Sequence, residues 1–268
     1  LSTKVATGIP GLDELVGGGI PKGRVILVIG GPGSGKTIMC GQFLYKGIYE
    51  HEESGVFVSL DESKDHFYRE MQQFGWDFRK AENEGKFTFI DATRMSRLAL
   101  LEEKLDKNKK SHDLDTDLML LRGKRLPIDK LLGDLSIKVQ HTKIKPFALT
   151  HATRVAVDSL AALSYRFPDP VERRTVVADL IESLTDLGVT TLVTTELHQL
   201  GLERSVLEEE FLVHGVIMMQ TLFSGGASTR GIQIEKMREA KVNTNLVPYL
   251  IDQRGIEVFP DMSLFGEK

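Results

Sequence analysis

The chain has 268 residues, 41% of them hydrophobic, a formal net charge of -4 and a single cysteine. That length can bury a full core, so it implies one large domain, or one domain carrying an insertion, and excludes a short peptide or a disordered tail. The slight acidity removes any global basic bias toward nucleic acid or an anionic membrane and leaves only local patches for such partners. The lone Cys40 excludes an intramolecular disulfide and a cysteine-built zinc site, and a reducing cytoplasm is the expected compartment. No apolar run approaches the roughly 18 to 20 residues of a membrane span. Residues 1 to 20 hold the glycines and acids of a folded turn rather than a signal peptide. With Leu1 in first place, the native start is expected upstream.

In chain order, short β-rich apolar runs alternate with helical patterns, the signature of a parallel sheet built from crossover units. Strands are expected at Val25–Ile29, Val56–Leu60, Phe87–Ile90, Val155–Val157, Val189–Thr194 and Val216–Leu222. Helices are expected at Ile38–Tyr49, Lys64–Phe74 and Glu172–Leu187, where apolar residues recur every three or four positions. Gly231–Met237, Val247–Ile251 and Gly255–Phe259 follow one another with only turn signals between, which predicts an antiparallel extension of the sheet. The segment Arg94–His151 is rich in Lys and Asp up to Arg125 and amphipathic over Leu126–Val139. It reads as an insertion around one helix within a single domain spanning 1–268, either solvated without a role of its own or used for partner docking or ring contact.

Gly30-Gly31-Pro32-Gly33-Ser34-Gly35-Lys36-Thr37 matches G-x-x-x-x-G-K-[ST], directly after a predicted strand and directly before a predicted helix beginning near Ile38. Glycines let successive N–H groups point at phosphate oxygens, and the helix beginning there adds its positive end. Gly31, Pro32, Gly33, Ser34, Gly35, Lys36, Thr37 and Ile38 are therefore the expected nucleotide-binding residues. Lys36 is expected to neutralise the β and γ phosphates, and the Thr37 hydroxyl to ligate Mg2+. Asp158 closes the apolar run Val155–Val157 and is the expected second metal-site residue; taken alone, an Asp there reads as a helix cap. Val56–Leu60 ends in Asp61-Glu62. Glu62 is expected to activate water, with Asp61 as its like-charged neighbour, against the alternative of two exposed acids stabilising the next helix. Thr194-Thr195-Glu196, at another strand tip, is placed to sense the γ-phosphate.

With these pieces in place the chain resembles the KaiC-like family of RecA-superfamily ATPases through most of its length outside Arg94–His151. The likeness is carried by Thr7-Gly8-Ile9-Pro10-Gly11-Leu12-Asp13-Glu14-Leu15, by Gly17-Gly18-Gly19-Ile20-Pro21 and by Asp61-Glu62. It continues through Phe74-Gly75-Trp76-Asp77, Thr194-Thr195-Glu196, Glu209-Glu210-Phe211, Lys236-Met237-Arg238 and Gly255–Pro260. The resemblance implies an α/β RecA-like core, ATP or ADP with Mg2+ as cofactors, adenine over guanine, and a hexameric ring with ATP between subunits. It also implies that Lys236 and Arg238 reach the phosphates bound by the neighbouring subunit. Two departures stand out. Glu239-Ala240-Lys241-Val242 replaces the family's usual Gly-Thr-x-His, and His214 replaces an acid before Val216–Leu222. The circadian members carry two such domains, so neither a clock role nor kinase activity transfers to this one.

Three functions follow for comparison. The first is a slow, ring-forming ATPase acting as a regulatory switch. The second is a RecA/RadA-type paralogue gripping single-stranded DNA. Against it, Gln199–His214 carries Glu203, Glu208, Glu209 and Glu210 with Arg204 alone, although the insertion holds a locally basic run from Lys104 to Arg125. The third is a nucleotide-gated scaffold with little turnover. No histidine spacing suggests a structural metal, and no membrane partner is expected.

Overall fold

The computed structural model describes residues 3–92, 152–197, 199–200, 203–204, 206–224 and 227–264; the segment read as an insertion lies outside the described residues. The chain opens with β1 (Lys4–Val5), α1 (Leu12–Leu15) and β2 (Ile20–Pro21), β1 and β2 forming a small antiparallel ribbon. Then come β3 (Val25–Gly30), α2 (Lys36–Glu50), β4 (Ser54–Ser59), α3 (Lys64–Gln72), α4 (Phe78–Asn83) and β5 (Phe87–Asp91). The chain continues as β6 (Ala152–Asp158), α5 (Ala161–Arg166), α6 (Pro170–Asp186), β7 (Thr190–Glu196), β8 (Gln199–Leu200), β9 (Glu203–Arg204) and α7 (Glu209–Leu212). It ends with β10 (Gly215–Ser224), β11 (Ala227–Met237), β12 (Val247–Asp252) and β13 (Gly255–Val258).

Nine strands form the main sheet among the described residues, in the order β13-β12-β11-β10-β3-β7-β6-β4-β5. From β10 to β5 every pairing is parallel, and β11 to β13 add the antiparallel edge. The expected α/β architecture is therefore present. Alternation along β3 explains why one strand serves two cores. Ile26 and Val28 pack under α2 with Met39 and Phe43, whereas Val25, Leu27 and Ile29 meet Val177, Leu180 and Leu184 of α6 on the other face.

Asp169 starts α6 by accepting the Glu172 N–H at 2.8 Å, with Pro170 in the first turn. Helix α4 was not expected, because six residues are too few to show a period. Its cap is nevertheless local: Asp77 accepts the Lys80 N–H at 2.9 Å, just after Gly75 turns the chain at φ 74°. Among the described residues no helix is long and apolar enough to cross a membrane.

Candidate functional site

Strand β3 delivers the phosphate loop at its C-terminal end, and the neighbouring strands end at the same rim. Gly30 is in register with Glu196 of β7, and Ser59 of β4 with Asp158 of β6. In an open parallel sheet this rim, where consecutive strands diverge, is where ligands bind. After β3 the chain crosses over two intervening strands before re-entering as β4, which leaves a cleft above the loop. The cleft holds about 480 Å³ and is lined by Lys36, Thr37, Asp61, Glu62, Ser63, His66, Glu70, Asp158, Ser159 and Glu196.

Around Asp158 the polar groups converge. Thr37 Oγ1 donates to Asp158 Oδ2 at 2.7 Å, and the buried Thr194 hydroxyl donates to Oδ1. Thr194 thus holds the carboxylate and does not face the cleft; of the Thr194-Thr195-Glu196 group it is Glu196 that lines it. Lys36 Nζ donates to the carbonyls of Gly30 at 2.8 Å and Gly31 at 3.2 Å, so the lysine lies back over its own loop. Burial lowers its pKa, and Asp158 and Glu196 oppose that shift.

The loop has room for phosphate. A methyl group added at Gly31 or Gly33 would meet nothing within 4 Å, while one at Gly35 would strike Ile251 on the opposite side. Gly33 and Gly35 adopt φ 74° and 92°, which only glycine takes without strain. Pro32 and Gly33 are exposed, Ser34 is buried, and Ile38 packs against the core. A glycine cradle, an ammonium and a hydroxyl beside a carboxylate are the donor set that a nucleotide with Mg2+ requires, so the residues fit that pair.

The Glu62 N–H donates to Ser59 Oγ at 2.9 Å, which turns the chain out of β4 into the cleft wall. Its carboxylate contacts His66 Nδ1, while Asp61 is more exposed. Burial raises the pKa of Glu70; His66 opposes the shift and Asp158 adds to it. His66 and Glu70 were missed in the sequence. They lie four and eight positions after Glu62, a spacing that puts them on one face of α3, and this was the available signal. Among the described residues no cluster of His, Cys, Asp or Glu could hold a metal by itself.

Lys236 and Arg238 lie elsewhere. Gly215, which starts β10, pairs with Ile26 near the beginning of β3, and Met237 pairs with Gly215. Four residues of β3 separate that level from the phosphate loop, about 13 Å of strand. Lys236 Nζ donates to the Glu210 carbonyl, and the exposed Arg238 donates its backbone N–H to the His214 carbonyl at 2.9 Å. A register shift in β11 at Glu235 offsets Lys236 from regular alternation. These two cations do not enter their own chain's cleft. The lysines and arginines from Lys104 to Arg125 lie outside the described residues, as do residues 201, 202 and 205; of the acids in Gln199–His214, Glu208 pairs with Arg174 at 3.2 Å.

A family model described as "ATPase: KaiC" matches residues 5–263. The UPF0273 protein of Methanocaldococcus jannaschii is 34% identical, over 97% of this chain and 98% of its own. The circadian clock protein KaiC3 of Synechocystis is 32% identical over 96% of this chain, which spans 46% of that relative's length. A solved structure of a KaiC-like protein from the archaeon Pyrococcus horikoshii superposes with a TM-score of 0.72 at 32% identity, covering 97% of this chain and all of that one. With the family model running almost from end to end over a sheet whose rim carries a phosphate loop and its carboxylate, the chain belongs to the KaiC family of ATPases.

Proposed function

We propose that the cleft binds ATP with Mg2+ and hydrolyses it, in a ring of identical subunits that works as a regulatory switch. The observation that carries this reading is the 2.7 Å hydrogen bond from Thr37 to Asp158, in a cleft that also holds Lys36 and Glu62. Mg2+, when bound, would supply positive charge to neutralise the phosphates. The remaining work belongs to side chains. The backbone from Gly31 to Gly35 cradles phosphate oxygens, and Lys36 leaves its loop carbonyls to neutralise the β and γ phosphates. Thr37 and Asp158 position the metal and its water shell.

Glu62 takes the proton of the attacking water, or orients it, and contact with His66 holds its carboxylate in the cleft wall. Lys236 and Arg238, which do not line their own chain's cleft, stabilise charge developing on the phosphoryl group of the neighbouring subunit, so turnover depends on assembly. The test is ATP hydrolysis across a range of protein concentrations, with and without single-stranded DNA. Specific activity should rise with concentration and ignore DNA. Stimulation by DNA would move the reading to a recombinase paralogue, and ATP binding without turnover would leave a nucleotide-gated scaffold.

A further inference from the structure

The antiparallel edge of the sheet lies behind the phosphate loop and touches it. Tyr249 of β12 is fully buried, and its phenol donates to the Ser34 carbonyl at 2.6 Å. Two positions further along β12, the Ile251 side chain fills the space that a Cβ on Gly35 would need. From β13, Ile256 is gripped at both of its backbone groups by the buried Gln42 of α2. The Ile256 N–H donates to Gln42 Oε1 at 2.6 Å, and Gln42 Nε2 donates to the Ile256 carbonyl at 3.0 Å. The β12–β13 hairpin is thus tied to the loop and to the helix that begins there.

A planar trans peptide has its C=O and N–H on opposite sides. Pinning the Ser34 carbonyl to Tyr249, on the hairpin side, therefore turns the Gly35 N–H toward the open side of the loop. Neither the Gly33 nor the Gly35 N–H has an acceptor among the described residues. Burial raises the phenol pKa of Tyr249, so it remains an O–H donor across the working pH range.

We infer that Tyr249 is a positioning residue for nucleotide binding: its hydroxyl fixes the Ser34–Gly35 peptide so that the Gly35 N–H is preset to receive a phosphate oxygen. The inference rests on the proposed nucleotide site. Without the hydroxyl, the Ser34 carbonyl is a buried acceptor lacking its donor, and the peptide is free to turn toward other partners, including Lys36.

The test compares the full chain with Tyr249→Phe and Lys36→Ala, using fluorescent ADP binding, phosphorus NMR of bound ADP, and ATP turnover at saturation. Tyr249→Phe should weaken ADP by roughly five- to tenfold, the range expected for one hydrogen bond. It should shift a phosphate resonance of the bound nucleotide and, at saturating ATP, keep kcat within about twofold, because uniform binding is what has been lost. Unchanged affinity and an unchanged phosphorus spectrum would overturn the inference. A reduced binding amplitude at unchanged affinity would also overturn it, since that marks a role in folding alone. If the unsubstituted protein binds no ADP, or Lys36→Ala binds as well as it does, the nucleotide site itself is wrong.

Discussion

Thr37 of α2 and the Asp158 carboxylate at the end of β6 are joined by a 2.7 Å hydrogen bond across 121 positions of chain. The bond places the two expected Mg2+ residues side by side and gives the carboxylate a fixed direction, with Thr194 on its other oxygen. Asp158→Asn keeps the shape and removes the charge. It should weaken Mg2+-dependent ATP binding by roughly 10- to 100-fold and leave the weaker binding measured in EDTA almost unchanged. Equal losses in both conditions would place Asp158 in folding rather than at a metal site.

Glu62→Gln should retain ATP affinity and lose at least about 100-fold in kcat, the scale of general-base removal. Asp61→Asn should cost much less, since Asp61 is more exposed and Glu62 is the acid held by His66. Steady-state hydrolysis with a parallel binding titration separates the two effects.

Arg238→Ala should bind ATP normally and lose about 1,000-fold in turnover if the cation acts across a subunit boundary. Mixing the inactive Arg238→Ala and Glu62→Gln proteins should then recover activity. Interfaces pairing an intact Arg238 from one variant with an intact Glu62 from the other form only in the mixture. A mixture as inactive as its components would place Arg238 outside the reaction.

His214 introduces a pH dependence at the opposite end of the sheet from the cleft. Its Nδ1 accepts the Val25 N–H at 3.3 Å, which requires that nitrogen to be unprotonated. Burial lowers its pKa, as do Arg24, Arg238 and Lys236, with Glu239 opposing. The unfolded chain therefore binds the proton first as pH falls, and stability decreases on passing below the ordinary histidine value of about 6.5. Urea midpoints measured from pH 8 to pH 5 should fall on the acid side, and fall less in His214→Gln. Superimposable curves would exclude His214 as the cause.

Arg154 tests the cost of a buried charge. Its side chain is 1% exposed, pairs with Glu53, donates to the Phe43 carbonyl at 2.9 Å and lies 4.6 Å from the centre of the Phe43 ring. Arg154→Ala should destabilise by about 3 kcal/mol, because it leaves the half-buried Glu53 carboxylate without its partner and removes the guanidinium's hydrogen bond to the Phe43 carbonyl. Denaturant unfolding checks the value; a loss below about 1 kcal/mol would mean that water replaces the guanidinium.

Local pattern alone determined a good deal of this protein. The phosphate loop announces itself because its chemistry needs glycine, lysine and a hydroxyl at fixed spacing next to a strand, and Gly30–Thr37 meets that need within eight consecutive residues. The strands and long helices were legible because burial on one or both faces imposes a period on apolar residues.

Beyond the expected pairing of Thr37 with Asp158, tertiary structure decided which residues far apart in the chain meet. His66 and Glu70 enter the cleft because α3 leaves β4 at the rim, and Thr194 turns to Asp158 because β7 lies beside β6. Tyr249 reaches Ser34 only because the last strands fold back behind the first loop. Periodicity records which face of an element is buried, but not which element covers it. That depends on strand order and register, which form through packing over the whole sheet.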